Sequence, residues 1–527
     1  MKQRIRNWCY AGFPLLGVLF YLAYLQRSAI DMVYSDYIRL INSYLPDVWN
    51  LEKFFVPDLL TRIPVNYLER GLNVELFGYS VTFDRIMGVL GFGLSALVIG
   101  MYARRQRIGL GWYAAAIAVM FSLNKWEMLY NGTGWAHFLA FACFFFHYYL
   151  LDRVYEVRNG KRTVQGERVS SRKWRRQLVW LAVLPALITI GTAGPYCAIY
   201  TMTLVLAYLF IEIRNRAILY QGIRKARRDL EKAGVRPGAI GVIDSRTCEL
   251  GSKQVILLLA AAIWPLLLYL WSNSQAVYEY SGAVDTPLFT AFFQEPKFFI
   301  KFFLKSFAST VFGVELVSRQ MPNVPDMAWY LLGVFVLASY GLAVWMNFYC
   351  RISERTIFPL MLLAGGGMNH LLILVSRYIF MPNDNYGMSS RYALQYQLGI
   401  LGILLTFGLV FRRKKSGEEM ERTEGQNAPA EKNPGKAVYL AAFLVTAVFL
   451  CGNLVTTAEE FSFGIHRKNY NLETREMLLN FEQAADEELE ARLEYHKPGC
   501  REALEILKEH HWNIFRESGT PQQADGA

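Results

Sequence analysis

The residues with chemistry to offer lie between the apolar runs of this chain. After the first run comes Ile30-Asp-Met-Val-Tyr-Ser-Asp-Tyr-Ile-Arg39, with two acids, Asp31 and Asp36, close to its end. A carboxylate held at a membrane surface is costly unless it is partnered or used. Partial burial raises its pKa toward the range of a general base. The competing reading is a pair of helix-flanking or N-capping acids. Their i, i+5 spacing does not place both on one helix face, so they are not an obvious carboxylate pair.

A second group is Asn124-Lys-Trp-Glu-Met-Leu-Tyr-Asn131. The Trp126 and Tyr130 rings would stack on sugar rings, and Glu127 would bind sugar hydroxyls. An aromatic belt with a capping acid explains the same residues. Arg377, in Ser376-Arg-Tyr-Ile, and Arg391, in Ser389-Ser-Arg-Tyr-Ala-Leu, are cations on the side opposite to most of the basic residues. A planar guanidinium pairs bidentately with phosphate oxygens; the alternative for both is snorkelling at the interface. His370 lies inside an apolar run, where it either serves a site or bonds a neighbouring helix. Asn131-Gly-Thr133 fits a glycosylation sequon, a pattern that often occurs by chance.

The elements that position these groups follow from hydropathy. The chain has 527 residues, 53% hydrophobic, and only 19% charged where a soluble domain carries about a quarter. Apolar runs long enough for the ~30 Å hydrocarbon core alternate with short charged stretches. They are continuous rather than alternating with period two, so they predict helices and not a barrel. The fold expected is all-α, a polytopic transmembrane bundle of about eleven spans. Candidate spans are 8–25, 84–102, 108–123, 135–151, 178–192, 196–213, 254–272, 327–349, 356–375, 392–411 and 437–456. A cleavable signal peptide is disfavoured, because no small-x-small site follows the first run.

The Arg- and Lys-rich loops 152–177, 214–253 and 412–436 then fall on the cytoplasmic side, with the N-terminus. Loops 26–83 and 273–326 fall outside. The first contains amphipathic pieces at 35–45 and 51–72. The second contains 297–317, apolar but carrying Lys301 and Lys305, which reads as an interfacial or re-entrant helix with snorkelling lysines. Residues 1–457 form the bundle, and 458–527 a small helical segment outside. A tight turn is expected at Gly194-Pro195, a solvated helix around Arg224–Arg228, and a disordered loop at 416–436.

The formal charge of +11 thus reports topology and anionic lipid, with no nucleic acid partner implied. The seven cysteines show no CxxC and no regular spacing. No P-loop, GxGxxG, HExxH or GxSxG is present, which argues against an ATP-driven pump or a transferase using cytoplasmic nucleotide-sugar. No cofactor is implied. A transporter would line its core with polar groups and broken helices, and the predicted spans are poor in ionisable groups apart from His370.

In plan, the chain resembles the GT-C superfamily of membrane glycosyltransferases. The shared features are a cytoplasmic N-terminus, one span, a long first outer loop with an acid near its start, many further spans and an outer C-terminal segment. Ser35-Asp36-Tyr37 is the best match to that family's Asp-Glu-x-Tyr-like element, with Asp31 second, although no second acid follows Asp36. Arg391-Tyr392 resembles the Arg-Tyr element before a late span. The resemblance implies a polyprenyl-phosphate-linked sugar donor, a glycan, lipid or protein acceptor in a bacterial cell envelope, and Asp36 or Asp31 as base. Arg391, helped by Arg377, would hold the lipid phosphate, and Trp126 and Glu127 would line the sugar site. The missing acid after Asp36 leaves a divalent metal requirement open. An O-antigen-type polymerase or ligase shares the substrate and large outer loops.

Overall fold

The structure is a computed structural model, and it describes residues 2–55, 64–157, 171–191, 196–232, 250–274, 284–420 and 434–516. Among these, every regular element is a helix. The long helix α1 (Lys2–Ser28) is followed by α2 (Asp36–Tyr44), α3 (Leu51–Phe55) and α4 (Pro64–Phe77) in the first long loop. Tyr37, Ile38, Leu40, Ile41 and Tyr44 recur at helical spacing in α2 and are buried there. Then come α5 (Val81–Arg105), the short α6 (Leu110–Met120), α7 (Trp126–Tyr130) and α8 (Trp135–Val157). Next are α9 (Ser171–Gly191), α10 (Cys197–Lys232), which takes in 224–228, and α11 (Ser252–Asn273). The second long loop forms α12 (Leu288–Gln294), α13 (Pro296–Ala308) and α14 (Val314–Gln320). The chain continues with α15 (Asp326–Tyr349), α16 (Phe358–Arg377), α17 (Ala393–Met420) and α18 (Lys436–Leu478), and ends in α19 (Asp486–Arg492) and α20 (Cys500–Glu509). The Gly194-Pro195 turn and residues 421–433 lie outside the described residues.

Nine described helices are long and apolar enough to cross a membrane: α1, α5, α8, α10, α11, α15, α16, α17 and α18. Two expected spans do not meet that measure. Residues 178–191 lie in α9, whose first turns Ser171-Arg-Lys-Trp-Arg-Arg176 are basic, and Thr192 lies outside the described residues. Residues 108–123 contain α6, with 11 residues, a rise of about 16 Å against ~30 Å of hydrocarbon. The position of α6 is fixed by α1. The Tyr10 hydroxyl donates to the Ile108 carbonyl, while Tyr21 donates to the Ser122 carbonyl at 3.1 Å. Thus α6 runs alongside α1 from Tyr10 to Tyr21 and stops short of its end. Lys125, buried, caps that stop by donating to the Met120 and Ser122 carbonyls at 2.7 and 3.1 Å. Burial holds its pKa well below the usual lysine range. The loop carrying Trp126 and Glu127 therefore begins at the depth of the last turns of α1.

Segment 297–317 is broken. The helix α13 has 13 residues, about 20 Å of rise, and turns at Ser309–Gly313 into α14. Its inner end reaches Phe307, which stacks on His370 within α16 at 3.8 Å. One of the two lysines departs from the expected snorkelling pair. Lys301 is exposed, whereas Lys305 is buried and bridges Asp326 at 3.0 Å and Asp384 at 2.8 Å.

The first loop and the end of the chain share one apolar core. Val33, Ile38 and Ile41 pack with Leu489, Leu493, Leu504 and Phe515. The connecting helix α18 has 43 residues, about 65 Å and twice the hydrocarbon thickness. The boundary drawn at residue 457 thus falls within one continuous helix.

Small residues let α16 and α17 approach closely. A Cβ on Gly366 would collide with the Gly399 backbone, whereas one on Gly341 would meet nothing within 4 Å. Gly366→Val should lower the thermal unfolding midpoint in detergent, at a cost of about 1–3 kcal/mol. Gly341→Ala, measured alongside, should leave the midpoint unchanged or slightly raised.

Candidate functional site

The candidate site forms where α1 ends, from four segments far apart in sequence. Arg391 follows the Ser389 cap of a short 3-10 turn leading into α17. Its Nε donates to Glu127 Oε1 of α7, and Ser390 Oγ donates to Glu127 Oε2 at 2.8 Å. Half-open to solvent, Arg391 keeps both terminal nitrogens without a hydrogen bond among the described residues. The carboxylate of Asp36, in the first turn of α2, acts electrostatically on the same guanidinium. Asp36 is partly buried and has no hydrogen bond of its own among the described residues.

Backbone geometry at Asp36 is unusual. The residue before it, Ser35, has φ 52°, in the left-handed region that non-glycine residues rarely adopt. Its N–H donates to the Leu493 carbonyl at 2.6 Å, so the C-terminal segment holds the turn that presents Asp36. The neighbouring Tyr37 points elsewhere: its hydroxyl donates to Asp84 Oδ2 at 2.6 Å. Burial first, then the Asp84 charge, push the Tyr37 hydroxyl pKa far up, so it stays protonated. Asn73 donates to Asp84 Oδ1 at 2.6 Å, and Glu69 shares a hydrogen bond with the same carboxylate. Burial and the Asp84 charge raise the Glu69 pKa well above the usual carboxylate range. These groups line a cavity of about 30 Å³, room for water but not for a sugar.

Trp126 lies beneath a second guanidinium, with Arg467 Cζ of α18 3.3 Å from the ring centroid. That leaves one face of the indole occupied. Arg467 also pairs with buried Glu460, at 2.9 and 3.0 Å. Glu460 further binds Arg319 of α14 at 2.9 Å and the Tyr24 hydroxyl at 2.8 Å. Glu315 faces Ser390 and the Trp126 indole, and burial raises its pKa. Sequence reasoning did not find Glu315, Arg319, Glu460, Arg467 or Glu494.

The other predicted residues are placed as follows. Asp31 is exposed and supports the start of α5, accepting from Ser80 Oγ at 2.8 Å and Thr82 N at 3.0 Å. Arg377 and Arg391 both act electrostatically on Tyr392, and Arg377 Cζ is 5.8 Å from its ring. His370 is fully buried in α16, bonded to Ser306 Oγ at 2.9 Å and stacked between Phe307 and Tyr396. The structure therefore brings Asp36, Glu127, Trp126 and Arg391 together, with Tyr392 and Arg377 adjoining. It leaves Asp31, Tyr37 and His370 occupied by structural bonds. Among the described residues no three His, Cys, Asp or Glu side chains are grouped to hold a metal ion.

In comparisons with known proteins, no family model matches the chain, and no curated protein and no solved structure matches it either.

Proposed function

We propose that this chain is a membrane glycosyltransferase of the GT-C type. It moves a sugar from a polyprenyl-phosphate carrier to a cell-envelope acceptor on the extracytoplasmic side. The observation that supports the reading is the nearness of a carboxylate, Asp36, with no hydrogen bond or ion pair among the described residues, to a half-open guanidinium, Arg391, at the end of α1.

Asp36 takes the proton of the acceptor hydroxyl as that oxygen attacks the anomeric carbon. The bond from that carbon to the phosphate oxygen breaks, and its electron pair leaves on the lipid phosphate. The terminal nitrogens of Arg391 receive that charge, and Arg377, beside Tyr392, adds to it. Glu127 orients Arg391 through Nε and, with Trp126, borders the sugar. The position of the α6 stop supports a reacting centre at headgroup depth, where a lipid-linked sugar sits.

The test uses the full chain in lipid nanodiscs with undecaprenyl-phosphate-linked hexoses and a cell-envelope glycan and lipid fraction as acceptor. Release of undecaprenyl phosphate together with labelled acceptor is expected. If undecaprenyl phosphate does not bind and no donor in a hexose and pentose panel turns over, the reading fails.

A further inference from the structure

A carboxylate outside the expected set faces the same site. Glu494 follows α19 in the C-terminal segment, and its backbone has φ 52°, one of seven left-handed non-glycine residues among those described, Ser35 being another. The peptide just before it is the one whose Leu493 carbonyl holds the Ser35 N–H. The two strained turns, one presenting Asp36 and one presenting Glu494, are thus clasped together. Such strain persists only where surrounding contacts over-determine it, and it concentrates at functional sites.

The Glu494 side chain is exposed, yet protein crowds it on one side. It makes no hydrogen bond or ion pair among the described residues. The charged and titratable groups acting on it are Glu127 of α7, Arg391, Arg467 of α18 and His496 of its own segment. It also acts on Tyr34, before α2, and on Tyr130 of α7. Partial desolvation and then the Glu127 charge raise its pKa, while Arg391 and Arg467 oppose them. Glu127 and Glu460 are already engaged by guanidinium partners. Among the described residues Glu494 and Asp36 have no such ion pair, which leaves both available to a ligand.

We propose that the C-terminal segment closes the site and contributes Glu494 as a ligand-facing carboxylate, which binds hydroxyls of the transferred sugar or acceptor and opposes the lipid phosphate held at Arg391. The inference rests on the proposed glycosyltransferase reading and adds a specificity-determining residue to it. A carboxylate accepts hydrogen bonds from sugar hydroxyls through both oxygens. Its charge also weakens retention of the phosphate product, which favours release once the sugar has left.

The test again uses the full chain in nanodiscs, with undecaprenyl phosphate as the probe. Glu494→Cys should react with a charged methanethiosulfonate, read against the parent chain with its native cysteines. Undecaprenyl phosphate should slow that reaction several-fold and leave Glu509→Cys unaffected. Glu494→Gln should bind undecaprenyl phosphate roughly two- to tenfold tighter, because one negative charge near the phosphate is gone. Wild-type binding should tighten more than Glu494→Gln binding as pH falls through the Glu494 titration; the difference cancels the titration of the phosphate itself. A carboxylate with only a structural role would give no such tightening. Equal labelling rates with and without bound undecaprenyl phosphate, or a Glu494→Gln chain that binds no tighter, would overturn this inference and leave the proposed function standing. A wild-type chain that binds no undecaprenyl phosphate would overturn both.

Discussion

Asp36→Asn should lower sugar transfer by about 10²–10⁴-fold, the usual contribution of a positioned general base. The amide keeps the shape of the carboxylate and its place in the first turn of α2, so folding should be unaffected. Arg391→Ala should cost about 10²–10³-fold, the effect of removing one donor aimed at developing charge. Arg391→Lys should recover little, because a point charge does not reproduce a fork that bonds Glu127 through Nε while leaving two nitrogens open. Asp31→Asn should act on stability rather than turnover, since Asp31 is spent on Ser80 and Thr82. The measurement is initial rate in nanodiscs, with thermal unfolding run in parallel. An active Asp36→Asn, Asp31→Asn double variant combined with a dead Arg391→Ala would shift the assignment to an O-antigen-type polymerase or ligase, whose key cations sit in a late outer loop.

Much of the frame was legible because hydropathy reports burial in lipid directly. The positions of α1, α5, α8, α10, α11 and α15–α18 follow from continuous apolar runs. The helix α2 follows from five large apolar residues at helical spacing. The segments that differ are those in which tertiary contacts replace lipid. Residues 108–123 read as a span because they are apolar, yet their helix is covered by α1, α17 and α18 and ends where Lys125 caps it. Lys305 reads as a snorkelling lysine until Asp326 and Asp384 are found beside it.

The site was legible only in part, for a related reason. Asp36, Trp126, Glu127 and Arg391 stand out because topology alone does not require them between spans. Their meeting is not written locally: Arg391 and Glu127 are 264 residues apart. Glu494 and Arg467 carry no local signal at all, since charged residues are ordinary in a polar helical segment. They become site residues only because α18 extends past the end of α1 and folds α19 and α20 back onto α2. The apolar residues of those short helices are buried against the first loop, and nothing in their spacing names that partner.

The largest stability effect is expected at the opposite, basic end of the bundle. Asp152, at the end of α8, has a fully buried side chain. Its Oδ1 accepts from Thr356 Oγ1 at 2.7 Å and from the backbone N–H groups of Ile357 and Phe358 at 2.6 and 3.1 Å. It thereby caps α16, whose first N–H groups have no partner within the helix. Its Oδ2 pairs with Arg105, the last residue of α5, itself nearly buried. One carboxylate thus ties α5, α8 and α16 together. Asp152→Ala removes the cap and leaves Arg105 with Glu156, at 3.4 Å, as its remaining carboxylate partner among the described residues. The expected loss is about 3–5 kcal/mol, the cost of breaking a buried pair from one side. Asp152→Asn keeps an acceptor for the cap but not the charge, so it should fall between alanine and wild type. Thermal unfolding in detergent reads the order directly. A second prediction separates this role from chemistry: Asp152→Asn that remains folded should transfer sugar at close to the wild-type rate, because α8 and α16 hold it at the other end from Asp36. An Asp152→Ala chain as stable as wild type would mean that Arg105 finds an equivalent partner in Glu156, and that α16 needs no carboxylate to start.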